Sequence, residues 1–167
     1  TAHNPIKAYM TLDDLDRALL RALQEDARRS NVELARLVDL SATGLQKRLR
    51  RLEEAGVIAG YTARLDREAL GYDMLCFVQV TLQRHEPDAV DNFRREVQAM
   101  PEVLECHHLT GEFDYLLKVV VRNRKHLERF ILNTLTPVRG MDKIRTSLVL
   151  SEIKSAAAMP IPAADSE

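Results

Sequence analysis

Hydrophobic residues in the first third of the chain recur every three or four positions, which is the spacing of one buried helix face. Three such segments predict three short helices, with inward-facing leucines at Leu12, Leu15, Leu19 and Leu23, at Leu34 and Leu37, and at Leu45, Leu49 and Leu52. Capping residues precede each segment: Thr11–Asp14 and Ser30–Glu33 fit the capping box, and Ser41 can cap the third helix. Two helices separated by the short interruption Asp39–Ser41, the second of them basic, predict a helix-turn-helix.

A different pattern follows Tyr61, where alternating residues predict strands and the intervening stretches keep helical spacing. Helical segments begin at Pro87 and after Asn123, which can cap a helix. The strand-like runs are Leu75–Leu82, Val103–Leu109, Tyr115–Val121 and Ile144–Ile153. The order strand-helix-strand-strand-helix-strand predicts an antiparallel four-stranded sheet with both helices on one face.

These two patterns predict an α+β protein with an N-terminal helix-turn-helix (winged-helix-like) domain and a C-terminal ferredoxin-like βαββαβ domain. We expect the first domain over residues 1–60, a connector strand or hinge over 61–72, the second domain over 73–155 and a tail over 156–167. Residues 1–10 and the tail lack periodicity, so we expect both to be loose.

Composition excludes several classes of protein. With 46% hydrophobic and 29% charged residues, the 167-residue chain is globular rather than disordered. No run approaches the roughly 18 uninterrupted apolar residues of a membrane span, and no secretion signal is evident, so we expect a cytoplasmic protein without a membrane partner.

The sequence also lacks the signs of an enzyme or a metalloprotein. It has no nucleophile elbow, phosphate-binding glycine loop or zinc-protease motif, so we expect neither catalysis nor a cofactor. Cys106 and His108 share one side of a predicted strand, but two ligands do not complete a tetrahedral site, and no metal is expected. Cys76 and Cys106 suit a reduced core, and the sequence alone does not decide whether they form a redox pair.

The third predicted helix carries the features of a DNA-recognition helix. With its leucines turned inward, polar and basic side chains point outward, and they suit base edges in the major groove: glutamine pairs with adenine, lysine with guanine, and the threonine methyl contacts thymine. Thr43, Gln46 and Lys47 are the predicted base contacts, because they lie in the half of the helix that normally meets bases. The full predicted DNA-binding set is Ser41, Thr43, Gln46, Lys47, Arg48, Arg50 and Arg51, the three arginines neutralising phosphates. A solvated basic face on a helical bundle is the alternative interpretation.

The apolar residues of the second domain predict that the protein self-associates. Two helices cover only one face of the sheet, yet Val120 alternates with Val119 and Val121, so both faces carry apolar residues. An open apolar face would be an unusually large patch for a monomer, so we expect a homodimer joined sheet to sheet that assembles further. Two recognition helices related by a twofold axis would contact half-sites about one helical turn apart, in a pseudo-palindromic double-stranded DNA site.

Another class of function fits part of the pattern. The ferredoxin-like domain resembles amino-acid-binding regulatory modules, and the helical head of such a module would contact a protein partner rather than DNA. A DNA-only architectural role is a third possibility, favoured by binding that ignores sequence. Salt-dependent DNA affinity distinguishes DNA binding from a protein-binding head, because phosphate contacts release counterions.

The sequence resembles the leucine-responsive/asparagine (Lrp/AsnC, feast/famine) transcriptional regulators over about residues 11–155. The N-terminal part of the resemblance comprises Leu12-Asp-x-x-Asp16, Leu19-Leu20, Ser30-Asn31, Glu33-Leu34-Ala35, Leu40-Ser41, Arg48, Arg51-Leu52-Glu53, Gly56-Val57-Ile58 and Gly60-Tyr61. In the C-terminal part, Thr110–Leu116 is similar to the family's effector-loop signature and Leu148–Lys154 to its final strand. The resemblance implies that the C-terminal domain is a RAM/ACT-like domain that senses amino acids. It also implies dimers that associate into octamers or sometimes hexadecamers.

The resemblance also implies an amino acid effector bound at a contact between dimers, against the loop around Gly111. A free amino acid needs N–H donors for its carboxylate and an acceptor for its ammonium, which a glycine turn and Asp114 can supply. The expected effector-binding residues are Gly111, Glu112 and Asp114, together with Val149 and Ser151 on the final strand. Taken alone, the same segment is an ordinary hairpin turn. The sequence identifies neither the effector, nor the target genes, nor whether the outcome is activation or repression.

Overall fold

The computed structural model describes residues 10–83, 87–155 and 158–163. Its helices and strands are α1 (Asp14–Glu25), α2 (Asn31–Leu37), α3 (Ala42–Glu54), β1 (Met74–Leu82), α4 (Pro87–Gln98), β2 (Val103–His108), β3 (Tyr115–Val121), α5 (Arg124–Arg129), which continues as a π-helical segment (Phe130–Leu135), and β4 (Met141–Leu148). The chain divides into two compact units, Thr1–Ala63 with Lys154–Glu167, and Arg64–Ile153. Within the described ranges, no helix is both long enough and apolar enough to cross a membrane.

The first unit is built on the three predicted helices. Leu19, Leu45 and Leu52 are fully buried and form its core together with residues of α2. Ser41 caps α3, since its hydroxyl accepts a hydrogen bond from the Gly44 N–H at 3.1 Å. A Cβ at position 44 would lie 3.2 Å from the Ser41 Oγ, so glycine leaves room for this cap. The predicted helix-turn-helix is confirmed.

The start of α1 differs from the prediction. The predicted cap was Thr11, but the structure places Asp13 at that position: its carboxylate accepts from the Asp16 N–H at 2.8 Å, and the Asp16 carboxylate accepts from the Asp13 N–H at 3.1 Å. The helix therefore begins two residues later than expected. The physical reason is that Asp16 is also held by arginines of α3, a tertiary contact that a local capping pattern does not contain.

The connector over residues 61–72 was predicted to be a strand or a hinge, and the structure contains no strand there. The segment forms a turn instead, in which the Leu70 N–H donates to the Asp66 carbonyl at 3.2 Å and the Tyr72 N–H donates to the Arg67 carbonyl at 2.8 Å. Leu65 is 75% exposed, so the alternating residues of this segment do not pack against a neighbouring strand. A strand-like sequence without a partner strand stays irregular.

The second unit has the predicted ferredoxin-like topology. Its four strands lie in the order β2-β3-β1-β4, and every neighbouring pair is antiparallel. Both helices pack on one face, where Phe93 and Val97 of α4 and Phe130 of the π-helical segment meet the buried side of the sheet. Asn123 caps α5 as predicted, accepting from the His126 N–H at 3.0 Å. The π-helical continuation is a feature that the sequence pattern does not predict.

The last strand, predicted over Ile144–Ile153, is displaced. The observed β4 begins at Met141 and ends at Leu148, which pairs with Cys76. Beyond Leu148 the strand pairing stops, and Val149 keeps a hydrogen bond from its N–H to the Leu75 carbonyl at 2.9 Å.

The face of the sheet opposite the helices is mixed rather than uniformly apolar. Leu75 and Val120 are 2% and 5% exposed there, and the neighbouring Phe77 is 37% exposed. Polar residues share this face, among them Glu105, which accepts a hydrogen bond from the Lys118 Nζ at 3.0 Å. Apolar residues therefore lie on this face, as the sequence predicts, but polar residues are interspersed among them.

The C-terminal tail, expected to be loose, is bound to α1 over residues 158–163. The Gln24 amide pairs reciprocally with the Met159 backbone, accepting from its N–H at 2.6 Å and donating to its carbonyl at 3.0 Å. The Arg17 Nε donates to the Pro162 carbonyl at 2.9 Å. Residues 1–9 of the predicted loose head (1–10) and tail residues 156–157 and 164–167 lie outside the described residues.

Candidate DNA interface and ligand loop

Four residues of α3 form one solvent-facing stripe. Thr43, Gln46, Lys47 and Arg50 occupy positions i, i+3, i+4 and i+7 of the helix and are all exposed. Leu45 points the other way and is fully buried, which fixes the rotation of the helix. The stripe therefore combines two neutral hydrogen-bonding side chains with two cations, as the sequence predicts.

Two of the predicted phosphate contacts are instead engaged inside the unit. Arg48 places its Nη1 2.7 Å from the Asp16 Oδ1 and 2.6 Å from the Asp13 Oδ2, and only 23% of its side chain is exposed. Arg51 places its Nη2 2.5 Å from the Asp16 Oδ2. Hydrogen bonds to Asp13 and to Asp16 raise the pKa of the Arg48 guanidinium further above its ordinary value. The structure thus gives these arginines carboxylate partners before any DNA is present.

Asp16 is the centre of this arrangement. Its side chain is 0% exposed, and it joins α1 to α3 through two guanidinium groups. A buried carboxylate is tolerated because each of its oxygens accepts a charge-assisted hydrogen bond. The sequence gives one signal of this role, because Asp16 lies next to the inward-facing positions Leu12, Leu15 and Leu19, but the capping pattern predicted for α1 does not include it.

The remaining basic residues of the stripe are open to a ligand. Lys47 makes no ion pair with any residue that the structure describes. Arg50 pairs with Glu54 at 2.8 Å, and this pair raises the Arg50 pKa, yet both side chains are mostly exposed. An exposed pair contributes only about 0–1 kcal/mol, so a phosphate can replace Glu54 at little cost. Ser41 is exposed at the start of the helix, with its hydroxyl used in the cap.

The predicted effector loop joins β2 to β3. Gly111 has φ +132°, a conformation that favours glycine, and both Gly111 and Glu112 are exposed. Asp114 is half-buried, and its Oδ2 accepts from the Leu82 N–H at 2.8 Å while its own N–H donates to the Val80 carbonyl at 2.9 Å. Asp114 therefore anchors the loop to β1, and its carboxylate is already engaged.

Val149 and Ser151 lie elsewhere in the unit. They were expected on the final strand, but they follow its end, and Val149 is tied to Leu75. Leu75 and Leu82 occupy opposite ends of β1, separated by roughly 23 Å at about 3.3 Å per residue. Since Asp114 adjoins Leu82, one chain does not bring the two predicted parts of the effector site together.

The cysteines are too far apart to bond within one chain. Cys76 lies on β1 and Cys106 on β2, with β3 between them. Two strand spacings make roughly 9.5 Å, beyond the reach of a disulfide. Burial raises the pKa of the Cys76 thiol. Across the residues with described placement, no cluster of three or more His, Cys, Asp or Glu side chains could hold a metal ion.

Comparisons with known proteins agree with both units. A family model described as "Winged helix-turn-helix DNA-binding" matches residues 12–59, and one described as "Lrp/AsnC ligand binding domain" matches residues 75–159. The leucine-responsive regulatory protein of Escherichia coli K12 is 43% identical over 143 residues, which cover 86% of this chain and 87% of that protein.

Solved structures are similar over almost the whole chain. A transcriptional regulator from Neisseria meningitidis, solved as a complex with L-Met, is 39% identical with a TM-score of 0.85, over 90% of this chain and 97% of that one. A feast or famine regulatory protein from M. tuberculosis, complexed with L-methionine, is 34% identical with a TM-score of 0.81, over 91% of this chain and 100% of that one.

A winged helix-turn-helix with an exposed polar and basic recognition helix, followed by a ligand-binding domain, defines a DNA-binding transcriptional regulator rather than an enzyme. The chain belongs to the Lrp/AsnC family. The match to a DNA-binding model favours DNA over a protein partner for the helical head.

Proposed function

We propose that this regulator acts as a cytoplasmic homodimer that assembles further into octamers, and that its paired α3 helices enter the major groove of a pseudo-palindromic duplex. The observation that carries the proposal is the exposed stripe of Thr43, Gln46, Lys47 and Arg50. In this proposal Thr43, Gln46 and Lys47 contact bases, and Arg50 contacts phosphate. Duplex affinity measured over a salt series tests it, because each phosphate contact steepens the salt dependence.

Arg48 and Arg51 act indirectly in this proposal. Their pairing with Asp16 fixes α3 against α1, so they orient the stripe rather than supply its main charge. This revises the set of DNA contacts expected from the sequence, in which both were assigned to phosphates. Ser41 contributes through the cap that starts the helix.

The proposed effector is a free amino acid, bound where two subunits meet. The loop around Gly111 supplies N–H donors and Glu112 an acceptor from one subunit, and Val149 and Ser151 come from another. Two facts support this: the two groups are roughly 23 Å apart within a chain, by the rise of β1, and the N. meningitidis and M. tuberculosis relatives were solved with L-methionine.

An amino acid at a subunit contact regulates DNA binding only if its affinity differs between assembly states. We propose that it changes how dimers pack and so the spacing of the recognition helices. In this proposal residues 1–60 bind DNA, residues 61–72 form a hinge, residues 73–155 bind the effector and mediate assembly, and residues 156–167 form a tail.

Removing the Glu112 charge is expected to weaken the effector response without affecting the fold. Glu112→Gln should lower affinity for L-methionine about tenfold, the value of one charge-assisted hydrogen bond to an ammonium. Mass photometry across an L-methionine series, then across the other amino acids, measures the shift in assembly. DNA affinity without effector should stay unchanged.

Asp114→Asn is the informative comparison for this loop. The change keeps the acceptor for the Leu82 N–H, so a loss of response in this variant would reflect charge rather than loop collapse. If no amino acid changes either assembly or operator affinity of the unmodified protein, the sensing proposal is wrong for this chain.

A further inference from the structure

A concave site lies in the second unit, apart from the ligand loop. It has a volume of about 510 Å³, within the roughly 300–1,000 Å³ typical of small-molecule sites. It is formed where the end of the connector meets the starts of β2 and α5. Its lining residues are Tyr72, Glu102, Arg122, Asn123, Lys125, His126 and Arg129.

The cavity carries excess positive charge. Arg122, Lys125 and Arg129 are exposed along it, and none of them forms an ion pair with the residues whose positions are described. One carboxylate, Glu102, lines the same cavity. Three cations gathered around one concavity repel each other unless an anion lies between them.

Glu102 does not neutralise these cations directly. The Arg122 N–H donates to the His126 Nδ1 at 3.2 Å, so the other ring nitrogen, Nε2, carries the proton and donates to the Glu102 Oε1 at 3.1 Å. Glu102 and His126 are only 21% and 13% exposed, whereas the arginines stand outward. The carboxylate thus lies in the floor of the cavity, and the cationic groups form its rim.

Contacts within the protein hold the rim in place without a ligand. The Arg122 guanidinium lies 5.8 Å from the centroid of the Tyr72 ring, in cation–π geometry. The Tyr72 backbone is fixed in turn, because the Arg67 Nη1 donates to the Tyr72 carbonyl at 2.8 Å and to the Asp73 carbonyl at 2.9 Å. The cavity is therefore supported by side chains outside its own rim.

We propose that this cavity binds a small phosphorylated metabolite through Arg122, Lys125 and Arg129. An amino acid fits poorly, because its ammonium needs an acceptor and the one lining carboxylate is bonded to His126. A di- or triphosphate carries several negative charges and no cation, and its oxygens suit the planar fork of arginine. The site would give the regulator a second input besides the amino acid, and it does not depend on where that amino acid binds.

Isothermal titration of the full-length protein with sodium pyrophosphate, at ionic strength matched with chloride, tests the proposal. We expect saturable binding that falls at least about tenfold in Arg122→Gln/Arg129→Gln, since two charge-assisted contacts are lost. Lys125→Gln, which leaves the cation–π contact in place, should weaken binding in the same direction. Arg139→Gln, an exposed arginine outside the cavity, should bind as the unmodified protein does.

Three results would overturn the proposal: no saturable binding of pyrophosphate, an equal loss in Arg139→Gln, or retention of full affinity in both cavity variants. Duplex DNA is titrated against the same variants. If the cavity variants lose DNA affinity but keep their response to pyrophosphate, the rim contacts the DNA backbone and the metabolite site is wrong.

Discussion

Reversing the charges of Lys47 and Arg50 is expected to abolish retention of duplex DNA. Lys47→Glu/Arg50→Glu should lower affinity at least about a hundredfold, because two favourable contacts are lost and two like-charge contacts replace them. The slope of log affinity against log salt should also flatten, as fewer counterions are released. Fluorescence anisotropy with a labelled duplex over a potassium chloride series measures both quantities.

A matched control separates this local effect from net charge. Arg139→Glu/Lys154→Glu makes the same change in total charge at exposed positions outside α3. We expect it to retain most of the DNA affinity. An equal loss in both double variants would mean that overall charge, not the recognition helix, holds the duplex. Circular dichroism checks that α3 is intact, since both changed α3 residues are exposed.

Asp16→Asn is expected to produce the largest loss of stability of any single change considered. The substitution leaves two guanidinium groups without their buried carboxylate, and we expect the free energy of unfolding to fall by about 2–4 kcal/mol. The partial exposure of Arg48 and Arg51 keeps the figure below the largest known for buried pairs. Urea unfolding followed by circular dichroism gives the midpoint and slope.

Asp14→Asn is the control for this experiment. Asp14 lies two residues earlier on the same helix, is 95% exposed and pairs with Arg17 at 3.2 Å. Its loss should change stability by less than about 0.5 kcal/mol. Equal effects of the two changes would contradict the role assigned to Asp16.

Measuring stability and DNA affinity of the same variant shows whether Arg48 orients α3 or contacts DNA directly. If Arg48 acts through Asp16, Arg48→Ala should lower stability and DNA affinity together. A loss of DNA affinity with unchanged stability would instead show that Arg48 contacts phosphate, as the sequence predicts.

The elements that the sequence predicts well are those whose signal is local. The leucines of α3 repeat at helical spacing, and β1, β2 and β3 lie within one residue of their predicted bounds. Hydrophobic periodicity is set by which side of one element is buried, so it can be detected without knowing the partner. The antiparallel four-stranded sheet with both helices on one face followed from the order of the elements along the chain.

The differences arise where a second element decides the outcome. Arg48 and Arg50 have the same chemistry in sequence, but only Arg48 lies on the side of α3 that meets Asp16. The end of β4 depends on its pairing with β1, which stops at Leu148 and leaves Val149 beyond the strand. The binding of Met159 to Gln24 joins positions 135 residues apart, and no local pattern carries that information.

Selection of bound duplexes from a random library tests most directly whether paired α3 helices determine which DNA is bound. The unmodified protein should enrich two inverted half-sites about one helical turn apart. Gln46→Ala should enrich the same arrangement with one base position relaxed in each half-site, at a cost of about 1–3 kcal/mol for the preferred base. Enrichment of an identical motif by both proteins, or of no motif by either, would contradict the assignment of α3 as the recognition helix.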